Sequence, residues 1–230
     1  MSKKSGKKTF IVIGCGRFGS YIVKELTQAG REVLAIDINE DSVKAISKYT
    51  TNCLVADATK LSVLQELGAA QIDHAVVTIG NNLQASILTV LNLKNLGLKR
   101  ITVRADEEMH GKIYTMLGAD EVIIPEEASA LNLANQMLSD TILDYYPISD
   151  DYSIVKISVG EGFIPKSIVD LNVRVKFDVN IVAMVKNGIF AIPRPTDLIE
   201  PNDILVIVAT RENYNKFDAF LNPKKTTKKS

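Results

Sequence analysis

Thr9-Phe10-Ile11-Val12-Ile13-Gly14-Cys15-Gly16-Arg17-Phe18-Gly19 is a β-branched apolar run that breaks into Gly-x-Gly-x-x-Gly. Ser20 to Leu26 then spaces its apolar residues as a helix does, so the stretch predicts a strand, a tight turn and a helix start. The first glycine permits the turn, the second leaves room for a pyrophosphate against the backbone, and the third lets the helix pack closely on the strand. N–H groups at the helix start, free of internal partners, would face those phosphates. Further on, Gly30 ends the helix and a second apolar run, Glu32 to Ile36, finishes at Asp37. A carboxylate there accepts hydrogen bonds from ribose hydroxyls and repels a 2′-phosphate. The reading is a working adenine-nucleotide site; the alternative is a fold that kept its glycines only for packing.

The alternation continues. A helix is expected from Asn39 to Tyr49 and a third strand at Cys53-Leu54-Val55-Ala56, ending in Asp57-Ala58-Thr59. Polar groups at the end of a parallel strand lie where such sheets bind ligands, which makes Asp57 and Thr59 neighbours of adenine or ribose; the same residues could instead cap the helix from Leu61 to Leu67. Strand four, Ala75 to Ile79, runs into Gly80-Asn81-Asn82 and a helix to Leu96. Strand five (100–105), a helix (107–117) and strand six (121–124) complete a doubly wound α/β sheet of Rossmann type. Pro125-Glu126-Glu127 opens a longer helix, with Ala128, Leu131, Ala134, Met137, Leu138, Thr141 and Ile142 on one stripe. Its carboxylates suit a helix N-terminus and are also oxygen ligands for a hard cation.

Near Tyr145 the pattern changes to short alternating strands with a brief helix at 167–171 and a final one at 212–221. The expected division is a basic tail (1–8), a nucleotide-binding domain (9–145), a small α+β domain (146–221) and a second basic tail (222–230).

With 46% hydrophobic residues in 230 and balanced charges, the chain can bury one large core or two modest ones. No apolar run approaches the ~18 residues of a membrane span, and no apolar stretch follows the basic start as a signal peptide requires, so a cytoplasmic location is expected. Cys15 and Cys53 lack metal or redox spacing, and Cys15 reads as a small apolar filler. Basic residues without interleaved aromatics argue against nucleic acid.

Hydride transfer needs an acid or base beside the nicotinamide. Tyr152-Ser153-Ile154-Val155-Lys156 matches Tyr-x-x-x-Lys, but that pair works on a helix and this stretch alternates as a strand. His74 and His110 lack metal-ligand partners and read as surface residues. No Gly-Lys-Ser/Thr loop supports nucleotide hydrolysis. A nucleotide site without evident chemistry points to sensing. Arg17, inside the phosphate turn, is either a permanently charged phosphate donor or a solvent-facing helix residue.

Taken together, Gly14-Cys15-Gly16-Arg17-Phe18-Gly19, Val33 to Glu40, Asp57-Ala58-Thr59, Ile79 to Ser86, Leu117-Gly118-Ala119-Asp120, Pro125-Glu126 and Ser167 to Arg174 resemble the RCK (regulator of potassium conductance) regulatory subunits of bacterial Ktr and Trk potassium-uptake systems. The resemblance favours the Ktr branch and implies an RCK N-domain and C-domain, no enzymatic activity, and homodimers assembled into an octameric ring. That ring docks on the cytoplasmic face of a membrane-embedded potassium channel, with ATP favouring an active assembly and ADP an inactive one. By motif position, Arg17 reaches the γ-phosphate of ATP held by the neighbouring subunit, Asp37 the ribose, and Asp57 with Thr59 the adenosine. Gly14, Gly16, Phe18, Gly19, Ile38, Ala58, Ile79, Gly80, Asn81, Asn82, Arg104 and Glu126 complete the implied nucleotide set. Glu126 would help hold a cation, Mg²⁺, Ca²⁺ or Na⁺, between subunits. Asn172, Arg174, Ile181 and Pro193 would meet cyclic di-AMP at a C-domain dimer interface, although Val173 to Phe177 and Pro193-Arg194-Pro195 depart from relatives. The competing readings are a small NAD-dependent oxidoreductase and an NADH-responsive binding module.

Overall fold

The computed structural model describes residues 8–80 and 82–223. Asn81 lies outside the described residues, as do the expected basic tails but for Lys8, Asn222 and Pro223.

The chain divides into two compact units, 1–126 and 127–230. In the first, strands β1 (Thr9–Ile13), β2 (Glu32–Asp37), β3 (Cys53–Val55), β4 (His74–Val77), β5 (Ile101–Arg104) and β6 (Glu121–Ile123) form a parallel sheet. Its strand order is β3-β2-β1-β4-β5-β6. Helices α1 (Arg17–Gln28), α2 (Glu40–Ile46), α3 (Leu61–Glu66), α4 (Leu83–Asn95) and α5 (Glu108–Met116) connect them. Both faces of the central strand are buried: Ile11 and Ile13 join the core that contains Val77, Val90 and Ile101, whereas Val12 joins the one that contains Val23 and Ile46. A strand apolar on both sides reads as a continuous run rather than an alternating one, which is why β1 was legible in the sequence. The order reverses between β1 and β4, which splays the loops after them apart and opens a crevice at the strand ends.

Two of the three turn glycines are compelled by packing. Gly14 has φ +96°, and a Cβ on it would lie 2.8 Å from the Thr78 carbonyl; one on Gly19 would lie 2.0 Å from the Gly14 oxygen. A Cβ on Gly16 would meet nothing within 4 Å. The space beside Gly16 is therefore open, as a phosphate cradle requires.

The second unit is an antiparallel sheet in the order β11-β10-β13-β8-β7, made of β7 (Ile142–Pro147), β8 (Tyr152–Ser158), β10 (Asn180–Lys186), β11 (Ile189–Ala191) and β13 (Ile204–Thr210). Short strands β9 (Lys166–Ser167) and β12 (Leu198–Ile199) pair separately, and α7 (Ile168–Leu171) and α8 (Val173–Phe177) precede β10. Helix α9 (Arg211–Leu221) buries Tyr214, Phe217 and Leu221 in the core with Val155, Ile157, Leu205 and Ile207. Alternating burial along β8 and β13 reflects a sheet covered on one face.

Helix α6 (Pro125–Leu138) corrects one expectation and resolves a point that the sequence left open. It ends before Thr141 and Ile142, which the expected stripe included; Ile142 instead opens β7, paired with Ile157. The stripe is also turned outward, because Ala128, Leu131, Ala134, Met137 and Leu138 are exposed. The side turned inward is polar: Asn135 is buried and donates to the Leu131 carbonyl, and Asn132 donates to Asp144 and accepts from the Tyr145 N–H. These bonds tie most of α6 to β7, so the second unit begins at Glu127, ahead of the expected division at 145/146.

Candidate functional site

The mouth of the first sheet holds a crevice of roughly 450 Å³, with its floor on the turn after β1 and its walls on the ends of β2, β3 and β4. Gly14, Gly16, Asp37, Ile38, Asp57, Ala58, Thr59, Ile79, Gly80 and Asn82 line it, all of them named from the sequence. Ile13, Ala56, Thr78 and Ala85 line it as well. No polar motif marks these four, which lie in stretches that the sequence reads as strand or helix.

Asp37 braces the turn. Its Oδ2 accepts the Cys15 N–H at 2.6 Å and its Oδ1 the Asn39 N–H at 2.8 Å. Thr78, buried beneath, donates its hydroxyl to the Gly14 carbonyl at 2.5 Å. Gly16 stands at the N-cap of α1 and supplies no side-chain cap, so the N–H groups of the first turn point outward without one. An anion in the crevice would complete them. Cys15 is buried, and burial above all, with the Asp37 charge second, pushes its thiol up to about 12. A thiol so poorly ionised is inert, consistent with a filler.

Asp57 and Thr59 bond to each other rather than capping α3. Asp57 Oδ1 accepts the Thr59 hydroxyl at 2.6 Å and its N–H at 3.0 Å, while Lys60 is the cap residue. The Thr59 hydroxyl is the largest influence holding the Asp57 carboxyl below its usual range. The capping alternative is thus set aside, and both residues line the crevice. Asn82 spends its side-chain oxygen on the Ala85 N–H at the start of α4, leaving its amide group as a donor. Ile38, 71% exposed, forms an apolar rim.

Arg17, Phe18, Gly19, Arg104 and Glu126 do not line the crevice. Gly19 packs under the turn, Phe18 is half-buried, and Arg17 is exposed at the first position of α1. Arg104 ends β5 and binds two carboxylates through one nitrogen: Nη2 lies 2.7 Å from Glu126 Oε1 and 3.1 Å from Asp106 Oδ1. The N–H at its own helix start, and then Arg104, hold the Glu126 carboxyl below its usual range; Arg17 adds a weaker influence. Among the described residues no group of three or more His, Cys, Asp or Glu could hold a metal ion. Within one chain Glu126 is a single carboxylate, so a cation there would need ligands from phosphates or a second subunit.

Several other readings resolve on the coordinates. Tyr152 and Lys156 both fall on β8, where four residues span about 13 Å, so they cannot act as the stacked pair of a dehydrogenase. His74, expected on the surface, is half-buried with Nε2 2.8 Å from the Thr102 hydroxyl, and burial lowers its pKa. His110 is also half-buried, 3.0 Å from Glu107. The four residues named for cyclic di-AMP do not share one cavity lining. Pro193 lines a separate cavity of roughly 380 Å³ with Lys186 and Asp197, but Asn172, Arg174 and Ile181 do not.

Residues 10–125 match the TrkA-N domain family and residues 152–222 the TrkA-C domain family. The chain belongs to the TrkA-N/TrkA-C family. It is 40% identical over 214 residues to Ktr system potassium uptake protein C of Bacillus subtilis, covering 92% of this chain and 96% of that protein. Against Ktr system potassium uptake protein A of the same organism it is 41% identical over 212 residues, covering 92% and 96%. Among solved structures it is similar to the GsuK channel bound to NAD, with TM-score 0.67, 16% identity, and coverage of 96% of this chain and 40% of that one. That likeness supports the two-domain fold of the family. No described helix is long and apolar enough to cross a membrane. The relatives are named as components of potassium uptake systems.

Proposed function

We propose that the chain is the cytosolic nucleotide-sensing subunit of a Ktr-type potassium-uptake system, peripheral to a separate membrane-embedded channel subunit, with ATP favouring the active assembly and ADP the inactive one. The observation that carries this is the crevice. An open cradle at Gly16, an uncapped helix start and a carboxylate at the end of β2 together suit the phosphates and ribose of an adenine nucleotide. A site that binds without reacting serves to shift populations. Arg17, exposed at the first position of α1, would meet a terminal phosphate presented by a neighbouring subunit, and Glu126 would share a divalent cation there.

Assembly through second copies is supported by two apolar surfaces. Leu131, Leu133, Met137 and Leu138 are exposed on α6. An apolar groove of roughly 560 Å³ runs along α5 and β6, past Gly111, Met116, Val122 and Ile124. Patches of this kind on an otherwise charge-balanced protein mark interfaces, and an even-numbered ring built of dimers, an octamer, is the proposed form. The test is a nucleotide panel of ATP, ADP, NADH and NADPH, read by calorimetry and sedimentation, with and without a reducible substrate. ATP and ADP binding with a change of assembly and no turnover supports the proposal; turnover of a nicotinamide cofactor would replace it with an oxidoreductase.

A further inference from the structure

Arg104 springs from backbone that the sheet holds in place. It ends β5, in register with Ile123 of β6, and the next residue, Ala105, donates its N–H to the Ile123 carbonyl at 2.8 Å. From Ile123 the chain passes through Ile124 to Pro125, whose fixed φ opens α6, and Glu126 follows. The two side chains therefore spring from backbone locked together by the sheet. The Arg104 side chain is only 18% exposed, against 64% for Glu126.

The fork of the guanidinium is divided among three directions. Nη2 serves Glu126 and Asp106 together. Nη1 would lie 3.4 Å from a Cβ placed on Gly80, so it packs beside that glycine. Nε is buried and has no hydrogen-bond partner among the described residues. A buried donor without a partner costs stability, and that cost is offset only by what the rest of the group achieves. Packing alone would be served better by an apolar side chain.

What it achieves is the fixing of Glu126. The hydrogen bonds that Glu126 makes with other described side chains run through Oε1, the oxygen held by Arg104. A carboxylate anchored at one oxygen by a second group keeps the other oriented toward a ligand, which is how outer partners tune metal-binding carboxylates.

We infer that Arg104 is the positioning residue for Glu126, tying the end of β5 to the start of α6 so that one carboxylate oxygen is held and the other is left for a divalent cation that accompanies a triphosphate. The inference rests on the nucleotide-sensing reading and specifies how its cation requirement is built. Arg104 acts through Glu126; the phosphate contact proposed for Arg17 is separate.

The experiment is calorimetric titration of the full chain with ATP and with ADP, each in Mg²⁺ and in EDTA, for the wild type, R104Q, E126Q and the double variant. In the wild type Mg²⁺ strengthens ATP binding. R104Q is expected to lose that gain as E126Q does, by about tenfold, as befits loss of a charge-assisted contact, and the double variant to lose no more than the worse single one. ADP affinity in EDTA should stay within about threefold throughout, which reports an intact fold. If R104Q does not fold, R104K, which keeps the charge but not the planar fork, carries the same comparison. An R104Q protein that keeps the full Mg²⁺ gain, or losses that multiply in the double variant, would overturn the inference while leaving nucleotide sensing intact. A wild type that binds neither nucleotide would overturn the functional proposal itself.

Discussion

Asp37 accepts the Cys15 N–H at 2.6 Å, so the end of the second strand and the glycine turn after the first are one mechanical unit. The carboxylate proposed to receive a ribose also holds the loop proposed to receive the phosphates. Replacing it by alanine should weaken both. Asp37→Ala is expected to lower stability by about 1.5–3 kcal/mol, the range for a hydrogen bond to a charged group, and to weaken ATP and ADP alike. Asp37→Asn keeps an acceptor and removes the repulsion, so NADP should gain on NAD. Denaturant melts and calorimetry check this; unchanged nicotinamide preference in Asp37→Asn would remove the specificity role.

The glycines separate fold from site. Gly16→Ala adds a methyl to open space at an ordinary φ of −63°, so the melting temperature should hold while nucleotide affinity falls. Gly19→Ala places a methyl 2.0 Å from the Gly14 oxygen and should destabilise the domain severely. Thermal melts of the two variants, compared with ATP affinity for Gly16→Ala, decide it: equal destabilisation would mean the space at Gly16 is not reserved for a ligand.

Acid sensitivity has a defined source in Asp73, which accepts the Thr9 N–H and hydroxyl and pairs with Lys99. The Thr9 N–H, then Lys99, lower its pKa to about 2. A folded pKa below the unfolded value gives stability that is present above the unfolded pKa of about 3.9 and lost as pH falls toward 2. Asp73→Asn should therefore melt at a lower temperature at neutral pH and converge on the wild type near pH 2. Parallel melting curves across that window would show that Asp73 does not contribute to the acid limb.

The outward face of α6 predicts a change of assembly without loss of the core. Leu131, Met137 and Leu138 are exposed, at 41%, 80% and 76%. Met137→Glu with Leu138→Glu should leave the monomer's melting nearly unchanged and reduce its sedimentation coefficient. Retention of the wild-type assembly by this double variant would place the interface elsewhere.

The sheet of the first unit was legible because each parallel strand is a short apolar run bounded by glycine or a small polar residue. Most of the crevice was legible for the same reason, since its lining sits at strand ends that a motif marks. Thr78 escaped notice because its work, bonding the Gly14 carbonyl, depends on a chain crossing that no local pattern encodes. Helix α6 misled in a more instructive way. An apolar stripe normally faces the core of its own chain, whereas here Asn132 and Asn135 face inward and the stripe is left outside. Sequence periodicity reports which side is apolar, not which partner covers it. The bond between Arg104 and Glu126 was likewise out of reach, because sheet register rather than spacing brings them together.

The central claim is that the protein reads the presence of a terminal phosphate, and Arg17 is the group proposed to read it. A ligand with equal affinity for two states shifts neither, so sensing requires a contact that ATP makes and ADP lacks. The decisive measurement is paired calorimetry of ATP and ADP on Arg17→Ala, with small-angle scattering of the assembly in each nucleotide. The expected result is a loss of about 2 kcal/mol in ATP affinity with ADP almost unchanged, and an assembly that stays in its ADP form. Parallel losses for the two nucleotides would contradict it, showing that Arg17 supports the fold or the shared phosphates and does not distinguish one nucleotide from the other.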